Sequence, residues 1–135
     1  MRIPRPVLII CAIFIIVVIL ITAFSEPPII FFDERYHFEV DISENGGHIV
    51  AGGSSGLYGL YFFSTADATP LWTKDGRFVK VKISANGKYI AAGGYSSVAL
   101  IKANGEEMWK HRGTRWLRSI AISDNGEYIV AGYTN

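Results

Sequence analysis

Apolar and polar residues alternate strictly in two short stretches of the chain, Phe38–Ile42 and residues 79–83. Side chains of a strand point alternately to its two faces, so this period of two predicts strands with one buried face. Each stretch is followed by Ser-x-Asn-Gly. This sequence is typical of a tight turn, because asparagine and glycine tolerate positive φ and the serine hydroxyl can bond to the turn backbone. Residues 49–51 and 90–92 are apolar runs, which predict strands covered on both faces.

This pattern is an internal repeat that occurs three times. Residues 40–52, 81–93 and 120–132 align without a gap, and their starting points lie 41 and 39 residues apart. The repeated turn residues are Ser43, Asn45, Gly46, Ser84, Asn86, Gly87, Ser123, Asn125 and Gly126. A third strand is predicted at 57–63 and 98–102, and a short fourth strand around a tryptophan at Pro70–Lys74 and 107–111. Four antiparallel strands in about forty residues are typical of one blade of a β-propeller.

The predicted fold class is all-β: a partial β-propeller with two four-stranded blades and half of a third, preceded by one transmembrane α-helix. The repeats occupy residues 36–135, with blades at about 36–76, 77–113 and 114–135. Closed propellers have about four to eight blades, so we expect the chain to be a fragment of a longer propeller. The alternative is a short repeat protein whose open sheet edge is covered by self-association with another copy.

A single apolar run, residues 7–24, predicts the membrane segment. It carries no charge, and 14 of its 18 residues are Val, Leu, Ile or Phe. As a helix it spans about 27 Å, close to the thickness of the hydrocarbon core. The basic leader 1–6 favours a cytoplasmic N-terminus, with the repeats held outside by a signal anchor. The alternative is a signal peptide cleaved at Ala23-Phe24-Ser25, which would make the repeats a secreted protein.

A linker, residues 25–35, joins the apolar run to the repeats and contains the short apolar stretch Ile29-Ile30-Phe31-Phe32. We expect this stretch to act as a closing strand or as an apolar patch next to the membrane.

The net charge of residues 25–135, the part predicted to be exported, argues against a nucleic-acid partner. The chain of 135 residues has 13 Lys+Arg and 12 Asp+Glu. Without Arg2 and Arg5 of the leader, Lys+Arg falls to 11 against 12 Asp+Glu, a net charge of −1. No nucleic-acid partner is therefore predicted. Cys11 is the only cysteine, which excludes an intramolecular disulfide and a cysteine-ligated metal site.

The block I-S-x-N-G-x-Y-I-x-A-G, followed by a strand and by Gly105-Glu106-Glu107-Met108-Trp109, resembles WD-repeat-like and pyrroloquinoline-quinone-type (PQQ-like) propeller repeats. It looks most like the membrane-anchored versions found in archaeal and bacterial surface proteins. In the PQQ-like pattern a glycine four residues before a tryptophan lets the indole dock on the next blade. Gly105 and Trp109 match that spacing, whereas Ala68 replaces the glycine before Trp72. The resemblance thus implies that Trp72 and Trp109 are inter-blade aromatic residues.

The expected function is a membrane-anchored extracytoplasmic module for binding or scaffolding proteins, because propellers present loops at both ends of a rigid ring. No residue of the sequence selects the partner. The alternative is a fragment of a PQQ-dependent quinoprotein oxidoreductase, which would need about eight blades and a cluster of polar ligands for quinone and calcium.

No catalytic, cofactor-binding or metal-ligating residue is predicted, and no cofactor. His37 and His111 have no second ligand at metal spacing. His48 stands where the other repeats have Tyr89 and Tyr128, which favours a structural ring at that position.

Two charged segments remain, and each has a structural interpretation. Asp33-Glu34 with Glu39 and Asp41 is the densest acidic stretch, but it is predicted to be the solvated face of a strand. Lys80 and Lys82 occupy in the second blade the positions of Glu39 and Asp41 in the first, which predicts ion pairs between the two blades. The basic stretch 110–118 could touch an anionic lipid, glycan or nucleic acid, but it is predicted to be a solvated connection.

Overall fold

The computed structural model describes residues 7–12, 15–20, 29–31, 38–54, 59–67 and 69–134, with side chains from residue 39 onward. The predictions that concern the leader 1–6, His37, Asp33-Glu34 and Ala68 lie outside the described residues. The repeats are called unit 1, unit 2 and unit 3, which are residues 36–76, 77–113 and 114–135.

The described chain is all-β. Its strands are β1 (Val7–Ala12), β2 (Ile15–Leu20), β3 (Ile29–Phe31), β4 (Phe38–Ile42), β5 (His48–Gly53), β6 (Gly59–Ser64), β7 (Pro70–Lys74), β8 (Lys80–Ile83), β9 (Tyr89–Lys102), β10 (Glu107–Ile122) and β11 (Ile129–Tyr133).

Unit 1 is a four-stranded antiparallel sheet in the order β4-β5-β6-β7. Its register places Ile42 opposite Ile49 and Phe62 opposite Trp72. The ends of β4 and β7 coincide with the strands predicted from the alternation and from the tryptophan. The predicted sheet of four antiparallel strands is confirmed for unit 1.

Unit 2 has the same four strands, although two of them run together as β9. The chain reverses inside β9 near Ser96, which has a φ of 69°. The amide of Ala103 donates to the carbonyl of Lys88 at 2.8 Å, which joins the two ends of β9. Residues 89–94 and 97–102 are therefore the second and third strands of unit 2, and the beginning of β10 is the fourth.

Unit 3 begins within β10. The later part of β10 pairs with β11, with Ile120 opposite Ala131 and Ile122 opposite Ile129. The prediction that the basic stretch 110–118 is a connection is wrong, because these residues belong to the continuous strand Glu107–Ile122. Pairing of Trp116 with Tyr95 on β9 extends the strand through the segment.

Two apolar clusters lie between the units, and a third, formed by Ile49, Ala51 and Phe63, lies within unit 1. One cluster joins Val50, Leu60 and Phe62 of unit 1 to Val81, Ile83, Ile90 and Ile101 of unit 2. A second cluster joins Ala91 and Val98 of unit 2 to Leu117 and Ile120 of unit 3. A single sheet has two faces and buries an apolar face only against another layer, so the units are stable only as a stack.

The predicted transmembrane helix is not observed over the described residues of the apolar run. Val7–Ala12 and Ile15–Leu20 form an antiparallel pair instead, and Ile29–Phe31 adds a third strand beside β2. The run is rich in valine and isoleucine, whose branched side chains favour extended backbone when no bilayer enforces a helix. Over the described parts of the chain, no helix has the length and apolar character needed to cross a membrane.

Candidate functional site

The repeated turn is the feature that defines the candidate site, and its hydrogen bonds are clearest in unit 2. The hydroxyl of Ser84 accepts a hydrogen bond from the amide of Tyr89 at 3.0 Å and donates to Oδ1 of Asn86 at 2.7 Å. The same Oδ1 accepts from the amide of Lys88 at 2.9 Å. Because Ser84 is fully buried, these bonds offset the cost of removing its hydroxyl from water.

Units 1 and 3 repeat this network. The hydroxyls of Ser43 and Ser123 donate to Asn45 and Asn125 at 2.7 and 2.8 Å, and each accepts a backbone amide at 3.0 Å. The turn glycines Gly46, Gly87 and Gly126 have φ values of 67°, 70° and 79°. Serine, asparagine and glycine are therefore all engaged within the turn, and the second residue differs between the units, as Glu44, Ala85 and Asp124.

Each turn glycine from unit 2 onward also receives a ring from the preceding unit. A Cβ built on Gly126 would overlap the ring of Tyr89, and one built on Gly87 would lie 3.0 Å from Nδ1 of His48. In unit 1 no heavy atom of the described residues lies within 4 Å of the corresponding position on Gly46. Gly87 and Gly126 thus meet two requirements, the positive φ and the space for a ring, whereas Gly46 meets the first.

The three turns form a continuous row. The amide of Glu44 donates to the carbonyl of Ala85 at 3.2 Å, and the amide of Asn86 donates to the carbonyl of Asp124 at 3.3 Å. Along this row runs a shallow groove of about 570 Å³, which we call the turn groove; its lining residues are Glu44, Asn45, Ala85, Asn86, Asp124 and Asn125. Its carboxylates and amides can form hydrogen bonds with a polar ligand.

The predicted ion pairs between units 1 and 2 are confirmed. Nζ of Lys80 lies 2.9 Å from Oε2 of Glu39, and Nζ of Lys82 lies 3.4 Å from Oδ1 of Asp41. The second carboxylate oxygen of Asp41 accepts the amide of Ile83 at 2.9 Å. These side chains are partly exposed, so each ion pair contributes only about 0–1 kcal/mol to stability.

Trp72 contacts unit 2 at a second turn. Its Nε1 donates to the carbonyl of Ala103 at 2.7 Å, and its ring stacks on Phe62 at a centroid distance of 5.1 Å. A Cβ built on Gly105 would lie 3.5 Å from the indole. The glycine four residues before Trp109 therefore receives Trp72 of the preceding unit. Trp109 itself is 42% exposed.

The environment of His48 is that of a packed aromatic ring, not that of a metal ligand. Its ring stacks on Phe62 with centroids 5.1 Å apart and planes 15° from parallel. Its Nδ1 is buried and has no hydrogen-bond partner among the described residues. His48 thus uses its flat ring at the position that Tyr89 and Tyr128 occupy in the other units.

Among the described residues, Tyr61 and Glu106 have shifted pKa values, and both shifts have structural causes. The hydrogen bond and charge of Lys102, 2.7 Å away, lower the pKa of the Glu106 carboxyl on the protein surface. Burial raises the pKa of the Tyr61 hydroxyl, and the carboxylate of Asp75 raises it further. Within the part of the chain that the structure describes, no group of three His, Cys, Asp or Glu residues could hold a metal ion.

The cations of the basic stretch are exposed along β10, and an aromatic residue lies beside them at the surface. Trp116 is 44% exposed and packs on Tyr95 with ring centroids 4.7 Å apart. Leu117 is the buried member of this stretch, where it contributes to the cluster between units 2 and 3.

Comparison with known proteins supports a propeller-type fold. No protein-family model and no curated protein matches the sequence. The fold is similar to the crystal structure of Kluyvelomyces marxianus Hsv2, a β-propeller protein, with a TM-score of 0.50 and 13% identity. The match covers 71% of this chain and 32% of the Hsv2 chain, so this chain spans about a third of that neighbour. At this identity the similarity shows the fold alone.

We predict that Gly126→Ala destabilises the protein more than Gly46→Ala. Both glycines have similar positive φ values, so alanine costs about 1–2 kcal/mol of backbone strain at each. At position 126 the new methyl group would also displace the Tyr89 ring, at a further cost of about 1–3 kcal/mol. Urea unfolding of the full chain measures both changes. Equal losses would contradict the packing of Tyr89 on Gly126.

We also predict that Tyr61 makes the stability of unit 1 fall at high pH. The folded pKa lies above the unfolded value of about 10. The contribution of the neutral Tyr61 side chain to the free energy of unfolding is therefore fully present below about pH 10. It is lost as the pH rises through the pKa that Tyr61 has in the folded protein. Urea unfolding at pH 9 and pH 11 should show a larger loss for the wild type than for Tyr61→Phe. The same loss in both proteins would exclude Tyr61 as the cause.

Proposed function

We propose that this chain is a β-propeller repeat module that binds or scaffolds other proteins. The observation that carries the proposal is the turn groove. The serines, asparagines and glycines of the turns are held by the same hydrogen bonds in all three units, while the second position carries a carboxylate in Glu44 and Asp124 and a methyl group in Ala85. Variable side chains on a rigid repeated frame are typical of a recognition surface.

The propeller-type fold supports this proposal without selecting a partner, because the same fold serves many functions. We also propose that residues 36–135 are related to WD-repeat-like and PQQ-like propeller repeats. No arrangement of the described side chains favours the quinoprotein alternative.

The proposed location is the cell surface, with residues 7–24 as the membrane anchor. Its support is the length and composition of that run and the two arginines before it. The two parts of the proposal are independent, since a binding module functions with or without an anchor.

Site-specific photocrosslinking in the native host tests the binding role. A photoreactive residue at position 44 or 124, on the turn groove, should form protein adducts. The same residue at the exposed position Glu127, outside the groove, is the matched control. Adducts at position 127 equal to those at 44 and 124 would refute the turn groove as the binding surface.

A topology reporter tests the proposed location. Alkaline phosphatase, which is active only after export, should be active when fused after Asn135 and should fractionate with membranes. Replacing Arg2 and Arg5 by glutamate should lower that activity, because the positive leader orients the segment. The control is a second fusion at the same position, to a fluorescent protein that fluoresces only in the cytoplasm. An inactive phosphatase fusion together with a fluorescent control fusion would refute the exported orientation.

A further inference from the structure

Asparagine is followed directly by glycine at four places in the chain, and each pair lies in a turn. Three pairs belong to the repeated Ser-x-Asn-Gly turns, and the fourth is Asn104-Gly105, between β9 and β10. Asparagine before glycine is especially prone to spontaneous deamidation, because glycine has no side chain that hinders the approach of its nitrogen to the asparagine amide. Each pair can therefore react, and its local bonds determine how fast it does so.

The reaction is a ring closure within the chain. The backbone nitrogen of the glycine attacks Cγ of the asparagine and forms a C–N bond, and the side-chain nitrogen leaves as ammonia with the proton of the glycine amide. Water then opens the cyclic imide at either carbonyl. Opening at the side-chain carbonyl gives aspartate, and opening at the main-chain carbonyl gives isoaspartate, in which the backbone runs through Cβ and Cγ.

The hydrogen bonds of the Ser-x-Asn-Gly turn of unit 2 oppose this reaction. The asparagine side chain must rotate until Cγ faces the glycine nitrogen, which breaks the bonds that Oδ1 accepts. Oδ1 of Asn86 accepts two bonds, from the hydroxyl of Ser84 at 2.7 Å and from the amide of Lys88 at 2.9 Å. Gly87 is buried, and the ring of His48 lies against it. Asn45 and Asn125 accept the same pair of bonds.

Asn104 is held by fewer bonds. Among the described residues, its Oδ1 accepts one bond, from the amide of Glu106 at 3.0 Å, and the residue two positions earlier is Lys102 rather than a serine. The side-chain amide of Asn104 also contacts the Glu106 carboxylate, but this contact lies on the surface, where water competes for it. Rotation of the side chain therefore costs less at Asn104 than at Asn86.

The difference between the two turns lies on the asparagine side of the reaction. The amide of Gly87 donates to the carbonyl of Ser84 at 2.9 Å, and the amide of Gly105 donates to the carbonyl of Lys102 at 2.8 Å. The two attacking nitrogens are thus engaged equally. The side chains of both asparagines are exposed, so water reaches either imide.

The turn that contains Asn104 is also the place where unit 1 docks on unit 2. Nε1 of Trp72 donates to the carbonyl of Ala103 at 2.7 Å, and the indole packs against the apolar cluster between the two units. Isoaspartate lengthens the backbone between residue 104 and Gly105. The closed turn and the bond from Trp72 therefore cannot both be retained.

Aspartate, the other product, fits this turn. The equivalent residue of unit 1 is Asp67, whose Oδ1 accepts the amide of Thr69 at 3.0 Å. Oδ1 of Asn104 accepts the equivalent bond from Glu106 at the same distance. Aspartate at position 104 thus gives the turn a residue that unit 1 already has, whereas isoaspartate changes the path of the backbone.

We propose that Asn104 is a site of spontaneous deamidation in the folded protein, and that its isoaspartate product releases Trp72 from unit 2. The reaction needs only water as a co-reactant and is irreversible once ammonia has left. It changes the contact between units 1 and 2 and is independent of binding at the turn groove.

Peptide mapping by mass spectrometry tests the site in the full chain, incubated at neutral pH. The change from an amide to an acid is detected as a gain in mass. We expect Asn104 to react about fivefold faster than Asn86, the factor that one additional net hydrogen bond on Asn86 contributes. In urea the four asparagines should react at similar rates, because the bonds that distinguish them are lost.

The fluorescence of Trp72 tests the structural consequence. The substitutions Trp109→Phe and Trp116→Phe, at side chains that are 42% and 44% exposed, leave Trp72 as the only tryptophan. We expect its emission to shift to longer wavelength in step with the isoaspartate content at position 104. Asn104→Gln, whose longer side chain closes the imide ring far more slowly, should prevent the shift. Freshly prepared Asn104→Asp should have the emission of the unmodified protein.

Three outcomes would overturn the proposal. The first is equal deamidation of Asn86 and Asn104 in the folded chain. The second is a shift of the emission during incubation that Asn104→Gln does not prevent. The third is an unshifted emission in chains that carry isoaspartate at position 104.

Discussion

The contact between a ring in one unit and the turn glycine of the next determines how closely the sheets can approach. Tyr89 lies over Gly126 and His48 lies over Gly87, so a side chain on Gly126 would overlap the Tyr89 ring and one on Gly87 would crowd His48. The apolar clusters between units depend on that approach, since close packing fails when the separation grows by a fraction of an ångström. The glycine thus links local turn chemistry to the formation of the core.

Two kinds of contact between units have different roles. The apolar clusters around Val81 and Leu117 supply the stabilisation, because burial of apolar area is the dominant favourable term in folding. The pairs Glu39–Lys80 and Asp41–Lys82 contribute little energy but match unit 1 to unit 2 in particular. Unit 3 has Ser119 and Ala121 at the lysine positions, so these ion pairs are not repeated between units 2 and 3.

The sequence predicts the local features well and the distant ones less well. The Ser84–Asn86 turn depends on residues within five positions of each other, and the ion pairs follow from aligning the repeats. The place where Trp72 docks depends on a turn 31 residues away, which spacing to a preceding glycine does not reveal. Residues 7–24 are both apolar and β-branched, so the same composition suits a helix in lipid and strands elsewhere, and the pattern alone cannot choose between them.

Strand β10 runs from Glu107 to Ile122 across the boundary between the second and third units. The boundaries of the sequence repeats therefore do not coincide with the boundaries of the segments that unfold together. Unit 2 and unit 3 share this strand, so detaching unit 3 would also disturb the strand that borders unit 2. Local unfolding of one unit is therefore transmitted to the other. Protection from hydrogen exchange should be shared across that boundary, and a protease cut placed there would damage both units.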